Sequence, residues 1–168
     1  MKDSSLIKKI LSRRVFDSRG NPTIETEIIT KNGAIGRAIS PSGASTGANE
    51  AIEMRDNDNK FGGKDVKKAL KLIEEEISPL LIGLPCEDQE AFDKVLNEFD
   101  KYNQKKNIGG NVSTSLSIAN YLCASNFNKK LEFENNANLE NFKIPKPEIQ
   151  IFGGGAHSGN QKSFQDFL

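Results

Sequence analysis

Two short stretches hold the residue types that chemistry needs. The first, Pro41-Ser42-Gly43-Ala44-Ser45-Thr46-Gly47, spaces glycines around hydroxyl side chains. Such a segment suits a loop that moves and presents backbone groups to a charged ligand. It is not a phosphate-binding P-loop, because no Lys-Ser/Thr pair follows its second glycine. Hydroxyls are weak nucleophiles without a base, and no histidine lies nearby in the chain. The chemistry open to it is that of a lid whose hydroxyl oxygen completes the coordination of a hard cation. A flexible surface connection is the plainer alternative.

The second stretch runs from Gly153 to Asn160 and contains the only histidine, His157. It is not a dinucleotide fingerprint: the third glycine of GxGxxG would fall at Ser158, and no helix is evident after it. A lone histidine is more often structural than catalytic. A glycine-rich strand end tips the balance toward function, since small residues let a ligand approach the backbone. Gln165 and Asp166 follow on another apolar stretch. If that stretch pairs beside the first, their side chains face the same mouth as His157.

These residues need a scaffold, and the chain offers one in three parts. From Leu6 to Ser40 the pattern is a β-meander. Ile7 to Phe16 is the first strand, closed by the turn-rich stretch from Asp17 to Pro22. Thr23 to Thr30 alternates, with Ile24, Thr26 and Ile28 on one face and Glu25 and Glu27 on the other. Lys31-Asn32-Gly33 is a hairpin signal, and Ala34 to Ser40 returns. A half-buried sheet must rest on something, and the helical middle supplies it. Asp65 is placed to cap a helix through Ile77, with Val66, Ala69, Leu70, Ile73 and Ile77 in one stripe and Pro79 ending it. A second helix, Asp88 to Phe99, aligns Phe92, Val95, Leu96 and Phe99. A third, capped by Asn111 and reaching about Phe127, aligns Val112, Leu116, Ala119 and Cys123, which makes Cys123 a small core residue.

The last part changes character. Glu134 to Asn141 is Asn-rich and reads as a surface connection, punctuated by Pro145 and Pro147. Glu148 to Phe152 is a short apolar strand. The sequence stops at Leu168, inside what reads as another strand, so a cut is expected rather than a natural end.

Composition narrows the classes. The chain has 168 residues, enough for one domain by length. Lys+Arg and Asp+Glu are 23 each, for a formal charge of +0 and a pI near 6.6, which argues against a nucleic-acid or anionic-membrane binder. Mean hydropathy is -0.54. No apolar run approaches the roughly 18 residues of a membrane span, and Met1 to Lys9 has no signal-peptide pattern. Cys86 and Cys123 stand in no CxxC spacing, so a reduced, cytoplasmic chain is the default reading.

Four blocks, in this order, together resemble the enolase family, the dehydratases of 2-phosphoglycerate. They are Asp17 to Thr23 (DSRGNPT), Pro41 to Gly47 (PSGASTG), Glu50 to Asp56 (EAIEMRD) and Gly154 to Asn160 (GGAHSGN). The resemblance spans nearly the whole chain but only the opening part of a typical family member. It implies an α+β fold: a cap made of a three-stranded meander and a helical layer over residues 1–142, then the first strands of an α/β barrel over 143–168. It also implies roles. Ser45 matches the lid serine that ligates the second Mg²⁺, and His157 the histidine that reaches the substrate. Gln165 and Asp166 fall on the family's Gln-Glu pair. Arg13 and Glu25 match cap residues that meet the partner subunit of a homodimer.

Three departures stand at the site mouth. Asp166 replaces the usual glutamate, Gly153 the usual asparagine and Ala156 the usual serine. Asp166 keeps the charge on an arm one methylene shorter, and a misplacement of ~1 Å can cost about 100-fold in rate. The departures suit a divergent branch, such as a carboxyphosphonoenolpyruvate synthase-like relative acting on a phosphonate analogue of phosphoenolpyruvate. The family's three metal-binding carboxylates, base lysine and acid glutamate would lie beyond Leu168, so the chain alone is expected to be inactive. A reading of another class is a non-catalytic dimerisation module pairing through the sheet around Arg13 and Glu25. Without barrel neighbours for Ile149, Ile151 and Phe152, the stretch after Pro147 is expected to be disordered, swapped or adhesive.

Overall fold

The computed structural model describes residues 3–43, 47–101, 103–135, 143–159, 164 and 166–168. The chain divides into two compact units, Met1–Ser42 with Asn49–Asn136, and Gly43–Ala48 with Ala137–Leu168.

In the first unit Ile7–Phe16 (β1), Pro22–Thr30 (β2) and Ile35–Ile39 (β3) form an antiparallel sheet in sequence order. Both hairpins are built by short side chains. Asp17 Oδ1 accepts the N–H groups of Arg19 (2.9 Å) and Asn21 (2.8 Å), while Asn32 Oδ1 accepts from Ala34 N (3.1 Å) and Thr30 Oγ1 (2.5 Å). Gly33, at φ +88°, takes the left-handed turn position that other residues avoid. The expected alternation holds: Ile24, Thr26 and Ile28 are fully buried toward the helices.

The opposite face of β2 is covered too, which the alternation alone did not indicate. Arg13 and Arg37, on the flanking strands, lie over Glu25 and Glu27. Arg13 Nε stands 3.2 Å from Glu25, and Arg37 Nη2 stands 2.7 Å from Glu27. The hydrogen bond from Arg37 holds the Glu27 carboxyl below its ordinary range.

The helical layer closes the other side. Gly110–Phe127 (α4) lies across β2 and β3, with Val112, Leu116, Ala119 and Cys123 all fully buried as expected. Thr26 Oγ1 bonds Ser115 Oγ across this contact at 3.0 Å. Gln89–Phe99 (α3) is capped by Asp88, whose Oδ1 accepts Ala91 N–H at 2.9 Å. Its Phe92 and Leu96 are buried, and Val95 and Phe99 pack at the margin of the same core.

Three expectations about the helices are corrected. Pro79 does not end its helix. Lys67–Leu72 (α1) passes through a π turn, Ile73–Ile77, into Ser78–Leu81 (α2). The π turn breaks the regular bonding register, and Pro79 falls in the first turn of α2, where its missing N–H is tolerated. The segment stops instead at Gly83, at φ +92°.

Asp65 does not cap α1 by bonding its first-turn amides. Asp56, brought back across the intervening loop, accepts from Lys67 N (3.1 Å) and Lys68 N (2.9 Å). Asp65 turns to Arg14, whose Nη1 lies 2.9 and 3.0 Å from its two carboxylate oxygens. Burial works to raise the Asp65 carboxyl, but the bonds from Arg14 and from Val66 N–H outweigh it and hold the group below its usual range.

Asn111 is likewise not the cap of α4; Gly109, at φ +83°, occupies that position. The Asn111 amide accepts from Met54 N (2.9 Å) and donates to Met54 O (3.1 Å), imitating a strand pairing.

Because Glu27 and Asp65 both titrate lower in the folded chain than unfolded, their stabilisation is complete above the unfolded carboxylate range and is lost as pH falls through the folded values. Urea unfolding between pH 7 and pH 3 is expected to give a constant free energy down to about pH 5 and a decline below about pH 4. Stability that rises on acidification over that range would contradict this assignment.

Candidate functional site

The chain just after β3 is held at several points. Ser40 N–H bonds Ile24 O at 2.9 Å, Thr23 Oγ1 donates to Ser40 O, and the Arg19 guanidinium donates to Ser42 O. Ser45 itself lies outside the described residues. The chain after the loop is fixed as firmly. In the strap Ile52–Asp56, Ile52 N–H bonds Gln104 O (2.7 Å) and Ile52 O accepts Gly110 N–H (2.8 Å). Met54 is paired with Asn111. Arg55 binds Glu53 (2.7 Å), Pro22 O (2.5 Å) and Lys64 O (2.8 Å). A side chain at Gly109 would come within 2.7 Å of Met54 Cβ, and one at Gly110 within 2.8 Å of Ala51 Cβ, so two glycines let the strap lie this close to α4. Sequence alone assigns no role to the Glu50 to Asp56 block. Its acidic and basic side chains, set in an irregular stretch, were the available signal.

In the second unit, Phe152–Gly153 (β4) pairs antiparallel with Asp166–Phe167 (β5), Gly153 opposite Asp166. The strand expected over Glu148–Phe152 is therefore shorter and begins later, although Ile151 N–H still bonds Phe167 O at 2.8 Å. Phe152 stacks on Phe167 with centroids 4.9 Å apart, and Phe164 tilts against both. Gly155–Ser158 forms a 3₁₀ turn that carries His157, closed by Ser158 Oγ donating to Gly155 O at 3.1 Å.

The side chain of His157, and Gln165 and Asn160 as a whole, lie outside the described residues. Asp166 is described: it is exposed, and Gln150 Nε2 donates to its Oδ1.

Among the described residues, no three of His, Cys, Asp and Glu converge to hold a metal ion. No helix among them is long and apolar enough to cross a membrane.

Comparison with known proteins agrees with this architecture. Residues 7–134 match the family model described as the enolase N-terminal domain. The enolase of Natranaerobius thermophilus is 40% identical over 164 residues, covering 98% of this chain and 38% of the relative. Enolase 1 of Desulfitobacterium hafniense is 43% identical over 162 residues, covering 96% and 37%. The enolase of Legionella pneumophila is 45% identical over 165 residues, covering 96% and 39%. The chain thus spans under two-fifths of the length of these curated relatives. With its meander, its helical layer and its sequence all matching, the chain belongs to the enolase N-terminal domain family.

Proposed function

We propose that the chain supplies the N-terminal part of an enolase-type lyase, a phosphopyruvate hydratase whose whole form interconverts 2-phosphoglycerate and phosphoenolpyruvate plus water in glycolysis. The observation that carries this is the near-complete alignment with three enolases at 40–45% identity. In this reading residues 1–142 are the cap and 143–168 open the barrel, and the protein works in the cytoplasm.

The chain's own contributions are few. Ser45 would give a neutral oxygen ligand to Mg²⁺ at the edge of the substrate site, His157 and Asp166 would act on the substrate, and Gln165 would bind beside them. Glycines at 153, 154 and 155 keep side chains out of the approach to that substrate. A Mg²⁺ held by Ser45 together with carboxylates from the rest of the enzyme would supply stabilisation of negative charge on the substrate. The homodimer would form through the face bearing Arg13 and Glu25. The near-zero net charge supports a small-molecule substrate over nucleic acid or membrane.

A second reading is favoured by Asp166, Gly153 and Ala156: a carboxyphosphonoenolpyruvate synthase-like relative. A spectrophotometric assay of phosphoenolpyruvate formation from 2-phosphoglycerate separates these readings. The 168-residue chain with Mg²⁺ is expected to show no turnover, and the same chain continued to a relative's full length is expected to show it. Turnover by the chain alone would refute the missing-barrel reading. A full-length form that ignores 2-phosphoglycerate but accepts phosphonate analogues would establish the second.

A further inference from the structure

Cys86 and Cys123 are far apart in sequence, yet the fold brings them to one place. Both are free, fully buried and part of one core cluster. Hydrogen bonds triangulate the pair. Asn120 Nδ2 donates to Cys86 O at 3.1 Å, which sets Cys86 against α4 one turn before Cys123 and on the same face. Cys86 N–H bonds Ser5 O at 3.0 Å. The next residue of that arm, Leu6, accepts from Lys31 N at 2.9 Å, and the same hairpin brings Ala34 O to 3.5 Å from the Cys123 sulfur. The arm and α4 thus hold the backbone of Cys86, and the hairpin meets Cys123, within one buried cluster. The neighbouring Cys123 thiol and removal from water together hold Cys86 above the ordinary thiol range.

We propose that Cys86 and Cys123 form an oxidation site, closing to an intramolecular disulfide that ties the turn before α3 to α4. A diazene oxidant shows the balance. One sulfur adds to the N=N bond and its proton goes to the second nitrogen. The other sulfur then attacks the first, the S–S bond forms, and the reduced hydrazine leaves with both thiol hydrogens. Both thiols are buried beyond the reach of a dissolved oxidant, so the step proceeds through local opening at the Ser5–Leu6 arm that is bonded to Cys86. This site is independent of the proposed lyase chemistry.

The test treats the 168-residue chain with diamide, with and without urea below the unfolding midpoint. The products are alkylated under denaturing conditions and weighed. The expected product is a monomer that has lost two hydrogens, takes up no alkyl group and yields a tryptic peptide pair joining Cys86 to Cys123. Sub-denaturing urea is expected to speed its formation, and its unfolding midpoint rises by on the order of 1 M urea. Disulfide-linked dimers overturn the proposal. So do two thiols still alkylatable after an exposure that oxidises the fully unfolded chain.

Discussion

Alanine at position 36 is expected to lower the unfolding free energy of the first unit by about 3 kcal/mol or more, at the severe end of overpacking. Gly36 sits within β3 opposite Ile28, under α4. A Cβ there would stand 2.1 Å from Ala119 O, 2.2 Å from Cys123 N and 2.6 Å from Cys123 Cα. These are backbone atoms of a helix, which cannot rotate aside as a side chain tip can. The helix would have to lift off the sheet, breaking the Thr26–Ser115 bond and uncovering the stripe from Val112 to Cys123. Urea unfolding followed by circular dichroism checks this. A Gly36→Ala variant within about 1 kcal/mol of the parent would mean that α4 is free to shift and that the contact is not rigid.

Asp65→Ala is expected to be nearly as damaging, by about 2 kcal/mol, because it removes a fully buried carboxylate that anchors Arg14 and the Val66 N–H. The Asp65 carboxylate is fully buried, while Arg14 also lies over the Phe61 ring at 5.0 Å from its centroid. Removing the acid leaves the guanidinium held over an aromatic ring with no anion beside it, and frees the Val66 N–H that Asp65 accepts at 2.9 Å. Replacing both partners, Arg14→Met with Asp65→Leu, is expected to restore much of the loss, since an apolar side chain at position 65 needs no partner for its burial. A double variant no more stable than Asp65→Ala would show that the pair contributes beyond cancelling its own burial.

What could be read from the sequence was what is local. The alternation along Thr23–Thr30, the Asn-Gly hairpin and the Val112–Cys123 stripe each depend on neighbours within one element, and each is present in the fold. What could not be read is what arrives from a distance. Asp56 caps a helix that begins eleven positions later, across a loop. Asn111 bonds a residue 57 positions earlier, so an amide placed in sequence to cap α4 is engaged elsewhere. Pro79 misled because proline rules assume an unbroken α register, and a π turn precedes it. For the candidate site, the motifs gave residue types and order. Of the positions, the structure places Asp166 on β5 and His157 in its turn, whereas Ser45 and Gln165 rest on the family resemblance.

The strap Ile52–Asp56 carries no helix or strand, yet its residues are spoken for. Ile52 is held to Gln104 and Gly110, Met54 to Asn111, and Arg55 to Pro22 and Lys64, while Asp56 caps α1. Irregular segments ordinarily absorb insertions and deletions without harm. Here chain length is as strictly counted as register in a ladder: one residue lost between Met54 and Asp56 must withdraw either the mate of Asn111 or the carboxylate at the start of α1. Relatives of this chain should therefore vary in the side chains of this stretch more readily than in its length.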